Sequence, residues 1–158
     1  MDPITPDNPP TRSRAPLGWG GAVLLVVLIW AAAVVMRHGG PKAELTGWAE
    51  GLEAGQIKAE EMDRPMVVLF TASWCPPCQR LKKDVLSKPE VVAALEARFV
   101  PVQVDMSNAS RGDPVVQMYG IEGYPTVLAL NPKGEPIGQF TGERSVAGFT
   151  AWLDQLDR

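Results

Sequence analysis

The chain has 158 residues, 46% of them apolar, and a formal net charge of −3. That length suits one modest domain with an appendage, and the apolar share can fill a real core. An acidic balance without any long basic run excludes nucleic-acid binding as a first reading.

Residues 1–16 hold Pro3, Pro6, Pro9, Pro10 and Pro16, few apolar residues and no periodicity, so a disordered N-terminal tail is expected there. Residues 17–36 carry no charged side chain. A helix of that length spans ~30 Å, the thickness of the bilayer hydrocarbon. Every face would be apolar, which disfavours a buried core helix. A single uncleaved transmembrane anchor in the lipid bilayer is therefore expected at 17–36. A cleaved signal peptide is the rival reading. Ala31, Ala32 and Ala33 offer small residues for cleavage, but the apolar run is longer than the usual signal core. Arg12 and Arg14 before the span balance Arg37 and Lys42 after it, so the positive-inside count does not orient it. Residues 37–47 are rich in Gly and read as a linker to a folded domain at 48–158.

Within that domain, residues 48–62 predict a loose helix, with Trp48, Leu52, Ala59 and Met62 on one face and Gly51 and Gly55 weakening it. Residues 65–72 form an apolar run that predicts a buried strand. Residues 79–86 continue as a helix on Leu81, Val85 and Leu86. Ser87, Pro89 and Glu90 predict the start of the next helix, with Val91, Leu95 and Phe99 facing inward. Residues 99–106 alternate as a strand, 107–113 are a polar loop, and 114–119 a short helix. Residues 125–131 and 135–142 predict a β-hairpin around a Pro-Lys-Gly turn. Ser145 caps a last helix with Val146, Phe149, Leu153 and Leu156 on one face. The strand–helix–strand steps predict parallel pairing and the hairpin antiparallel pairing, so a mixed α/β sheet flanked by helices is expected.

The chain has only two cysteines, Cys75 and Cys78, in the string WCPPC between a strand and a helix. A zinc site needs about four ligands. The single histidine, His38, is far off beside the apolar span, so no metal is expected. Covalent haem attachment wants a histidine after the second cysteine, and Gln79 stands there. A structural clip closing so short a loop stabilises little. A redox pair has positive physics, because a helix N-terminus favours a thiolate at Cys75 and Arg80, Lys82 and Lys83 add positive potential. Cys75 is then the nucleophile and Cys78 the resolving thiol, with no cofactor required. Pro76 and Pro77 lack N–H donors, so the first one available to the Cys75 sulfur is that of Cys78. Because proline disfavours helical geometry in the residue before it, Pro76 is expected outside the helix and Pro77 at its start.

WCPPC after an apolar strand, Gly123-Tyr124-Pro125-Thr126 some 50 residues later, and a hairpin ending before an amphipathic helix together resemble the thioredoxin superfamily. More narrowly, residues 46–106 are similar to the periplasmic thioredoxin-like domain of bacterial transmembrane thiol–disulfide interchange reductases. The resemblance implies a thioredoxin-like fold, a cis Tyr124–Pro125 bond beside the cysteines, and a substrate site at Trp74, Tyr124 and Pro125. The Tyr124 backbone would bind a substrate peptide as an added strand. It also implies an anchored domain on the periplasmic side of the cytoplasmic membrane, protein thiol or disulfide substrates, and a membrane thiol protein as electron donor. One departure stands out. The superfamily commonly carries a buried acid six residues before the first active cysteine. Leu69 occupies that position here, and Pro101 stands where thioredoxin has a lysine near the acid.

The function so read is a membrane-anchored, extracytoplasmic thiol–disulfide oxidoreductase that reduces protein disulfides. The alternative is a thioredoxin-like binding or assembly module in which the cysteines do not turn over. A third reading keeps the chemistry but faces the domain to the cytosol.

Overall fold

A computed structural model describes residues 23–31, 44–142 and 144–156. The chain divides into two units, Met1–Pro41 and Lys42–Arg158. In the first, residues 23–31 are helical and exposed. No helix among the described residues is long and apolar enough to cross a membrane. The tail at 1–16, the rest of the expected anchor at 17–36 and most of the linker lie outside the described residues.

The second unit contains strands β1 (Ala49–Glu50), β2 (Met66–Thr71), β3 (Val100–Asp105), β4 (Thr126–Leu130) and β5 (Pro136–Gln139). Its helices are α1 (Leu52–Met62), α2 (Pro76–Leu81), α3 (Pro89–Arg98), α4 (Pro114–Met118) and α5 (Val146–Leu156). A single π-helical turn, Lys82–Leu86, extends α2. The strands form one five-stranded sheet in the order β1-β3-β2-β4-β5. β1, β3 and β2 run parallel, while β4 is antiparallel to β2 and β5 to β4. This is the mixed sheet that the element order predicts, in the thioredoxin-like arrangement that the resemblance implies.

Every residue of β2 is buried, because helices cover both faces of the sheet. Its odd positions, Val67 and Leu69, join Leu81, Val85, Leu95, Phe149 and Leu153 beneath α2, α3 and α5. Its even positions, Met66, Val68 and Phe70, join Ala59, Val102 and Leu128 beneath α1. The two-residue period of a strand thus feeds two apolar layers from one run.

Four local expectations are corrected. Trp48 does not begin a helix, since Ala49 and Glu50 pair with Val102 and Gln103 of β3 and the helix starts only after Gly51. Gly51 turns the chain at φ 88°, a conformation that favours glycine. Gly55, which weakens the helix by propensity, is buried where α1 crosses β3, and a Cβ there would run into the side chain of Val102. Close packing outweighs propensity at that position. Ser87 does not cap α3. Its hydroxyl donates to the Lys83 carbonyl, the N-cap is Lys88 without a side-chain bond, and Pro89 supplies the first turn. Pro76 lies inside α2 rather than before it. The first N–H groups of a helix have no acceptor within it, so neither proline removes a ladder bond.

Candidate active site

The site forms where β2 ends and α2 begins. Cys75 is the N-cap of α2, in extended geometry at φ −96° and ψ 102°. Its N–H donates to the Ala72 carbonyl at 3.1 Å, which tightens the corner after the strand. The Cys78 N–H donates to the Cys75 carbonyl at 3.1 Å and to the Cys75 sulfur at 3.3 Å. With both prolines lacking donors, Cys78 supplies the direct hydrogen bond to that sulfur. The two cysteines are joined by a disulfide with Cα atoms 5.3 Å apart. Cys75 is 3% exposed and Cys78 0%, so both are buried in the disulfide form. They pack with Ala72 and against Tyr124.

The other residues read from the sequence come together here. The Tyr124–Pro125 bond is cis. The Thr126 hydroxyl donates to the Gly123 carbonyl at 2.7 Å across the same turn. Trp74 is 64% exposed and meets Tyr124 edge to face, with ring centroids 6.0 Å apart. Burial raises the Tyr124 pKa above its ordinary value, and the Asp113 carboxylate raises it further, so the phenol is neutral through the physiological range.

The structure adds one contributor that sequence reading did not single out and gives a second a place that sequence reading did not foresee. The first is Ser107, in the turn after β3. Its hydroxyl oxygen accepts from the Ser73 N–H at 2.7 Å and also bonds the Asp105 carboxylate, while its carbonyl accepts from the Trp74 indole N–H at 3.0 Å. The turn after β3 thereby holds the turn that carries Trp74. The nearby carboxylate of Asp105, which also accepts from the Ser107 N–H at 2.9 Å, forms an Asx turn. A serine two residues after a strand-end aspartate was the available signal.

The second is Lys82. Cys78, Leu81, Lys82 and Val85 recur at i, i+3, i+4 and i+7 and all are buried, so this lysine stands in the inward stripe of the helix. A charge at an apolar stripe position was legible in the sequence. Lys82 lines a cavity of about 440 Å³ with Glu44, Glu50, Thr71, Gln79, Gln103 and others. Leu69, where the superfamily carries an acid, is fully buried in the apolar layer, opposite Gln103 on β3. Pro101 lies opposite Val67. Among the described residues no cluster of His, Cys, Asp or Glu could hold a metal ion, and His38 lies outside them.

Comparison with known proteins matches residues 52–157 to the model of the thioredoxin-like domain. The thiol:disulfide interchange protein TxlA of Synechococcus elongatus is 30% identical over 97% of this chain and 76% of its own length. The thiol:disulfide interchange protein DsbD 2 of Pseudomonas aeruginosa is 32% identical over 65% of this chain. The match covers 18% of that longer relative. A thioredoxin from Thermus thermophilus, solved in solution, superposes with a TM-score of 0.61 at 30% identity, over 71% of this chain and 88% of that one.

Proposed function

The chain belongs to the thioredoxin-like domain family, and on that premise we propose that it is a membrane-anchored, extracytoplasmic thiol–disulfide oxidoreductase that reduces protein disulfides. The observation that carries this reading is the Cys75–Cys78 pair at the N-terminus of α2, with the Cys78 N–H on the Cys75 sulfur. A donor placed there stabilises charge on Cys75 in the reduced protein. The similarity to two proteins named for thiol–disulfide interchange supports the reaction class. The uncharged run at 17–36 supports the anchor.

The Cys75 thiolate attacks one sulfur of a substrate disulfide. The substrate S–S bond breaks, a mixed disulfide forms, and the departing substrate thiolate takes a proton. Cys78, once deprotonated, attacks the Cys75 sulfur. The mixed disulfide breaks, the second substrate thiolate leaves and is protonated, and the Cys75–Cys78 disulfide remains. The substrate has gained two electrons and two protons. A dithiol donor, for which a membrane thiol protein is the proposed class, returns the pair to the reduced state. Trp74, Tyr124 and Pro125 form the rim on which the substrate peptide lies, its backbone paired with that of Tyr124. Pro76 and Pro77 limit the donors around the Cys75 sulfur.

The test is reduction of insulin by the full-length chain in detergent with a dithiol regenerant. Wild type accelerates it, Cys75→Ser abolishes it, and Cys78→Ser accumulates a mixed disulfide on non-reducing gels. Equal rates for wild type and Cys75→Ser overturn the enzyme reading in favour of a binding module. A phosphatase fused after Arg158 reports the side of the membrane, and activity confined to the cytosol overturns the extracytoplasmic placement.

A further inference from the structure

The resolving step asks for charge in an unfavourable place. Cys78 has no solvent exposure, yet it must become a thiolate before it can attack Cys75. A buried anion without a compensating group is strongly disfavoured. Leu69 offers neither a proton acceptor nor a charge, and it is itself fully buried. Among the described residues, Lys82 is the one charged residue classed as buried, at 6% exposure.

Its place on the helix puts it near the second sulfur. The Lys82 N–H donates to the Cys78 carbonyl, so the two residues are one α-helical turn apart on the same face. Side chains so spaced have Cβ atoms about 5–6 Å apart. The cavity that Lys82 lines is bounded by Thr71, Ala72 and Ser73, and Ala72 also packs against both cysteines. Two buried oxygens near this region, Thr71 Oγ1 and Gln103 Oε1, have no hydrogen-bond partner among the described residues. The cavity is therefore polar, and large enough to admit water. Its carboxylates are Glu44 from the segment before β1, Glu50 from β1 and Asp105 from β3, and all three are exposed. Solvent screens all three. On the other side of the helix, Arg80, Asp84 and Arg144 border a separate recess with Pro77 and Leu81.

We propose that Lys82 is a positioning residue for the resolving step, its ammonium stabilising the Cys78 thiolate in place of the acid that Leu69 displaces. The Cys78 proton leaves through the polar cavity to bulk water, and the thiolate then attacks Cys75. This rests on the reading of Cys78 as the resolving thiol, but its test does not depend on turnover.

In full-length Cys75→Ser, Cys78 is the sole thiol and its 13Cβ resonance reports its ionisation. Adding Lys82→Met raises the Cys78 midpoint by about 1 pH unit or more, whereas Lys82→Arg keeps it near the parent value. In proteins with both cysteines, Lys82→Met makes the reduction potential more negative at pH values where the parent Cys78 is ionised, because the thiolate form of the reduced pair loses its stabilising charge. An unchanged midpoint in folded Lys82→Met overturns the proposal. Should that variant fail to fold, Lys82→Gln makes the same comparison with a polar head left in the cavity, and an unchanged midpoint there overturns it equally. Loss of insulin reduction by wild type would sink the proposed function while leaving the Lys82 titration interpretable.

Discussion

The indole N–H of Trp74 donates to the backbone carbonyl of Ser107 across 3.0 Å, linking residues 33 positions apart. Ser107 also accepts from the Ser73 N–H through its hydroxyl. An exposed aromatic beside the cysteines is thus oriented from outside its own turn. Restricting a side chain before binding lowers the ordering penalty at an interface.

Ser107→Ala tests that link. The change removes the acceptor for Ser73 and the bond to Asp105 but leaves the carbonyl on Trp74. A net loss of about 1 kcal/mol in stability is expected, the usual worth of such bonds. The Trp74 indole N–H should exchange with solvent faster, as read by NMR, and insulin reduction should fall several-fold. Unchanged exchange would show that the Ser107 hydroxyl does not position the carbonyl that holds the indole.

Leu69→Asp restores the acid common in the superfamily. The structure argues against a simple gain, because Leu69 is 0% exposed in an apolar layer. A loss of about 3 kcal/mol is expected at pH 7 from urea unfolding, combining lost apolar burial with carboxylate desolvation. Burial raises the folded-state pKa of such an Asp above its unfolded value. The unfolded state then releases its proton first as pH rises, so the penalty grows above about pH 4 and is smaller below it. Equal stability of variant and wild type at pH 7 would show that the site already accommodates a charge.

Tyr119 and Tyr124 are the chain's two tyrosines, and burial raises the pKa of both. Asp113 adds to the rise at Tyr124. The folded state therefore holds these protons above pH 10, where the unfolded state releases them, and the tyrosine contribution to stability falls as pH climbs past the unfolded value. Absorbance at 295 nm should show both phenols ionising above the ordinary tyrosine value of 10.0. In Tyr124→Phe a single late transition from Tyr119 should remain. A midpoint at or below the ordinary tyrosine value in the folded protein would contradict the burial around these rings.

Much of the site was legible before any fold was in hand. WCPPC is local, and a cysteine pair between a strand run and a helical run announces itself by spacing. The Tyr124–Pro125 turn was found only through resemblance, since no local pattern in the chain says that residues some 50 apart meet. Strand β1 was missed because two residues carry no period, and only the β3 edge makes them a strand. Ser87 misled because a cap signature counts residues, whereas here the hydroxyl was taken by the preceding π-helical turn.

By itself the sequence determined the alternation of strand and helix, the apolar runs and the CxxC spacing of Cys75 and Cys78, because these depend on residue type and near-neighbour spacing. Tertiary structure alone decided what surrounds them. It placed Leu69 in the apolar layer, Ser107 under Trp74, and Lys82 in a polar cavity one turn beyond Cys78. The physical reason is that burial and electrostatic environment are properties of the space between elements. They are set by how β2, β3 and α2 pack, and no single segment of chain encodes them.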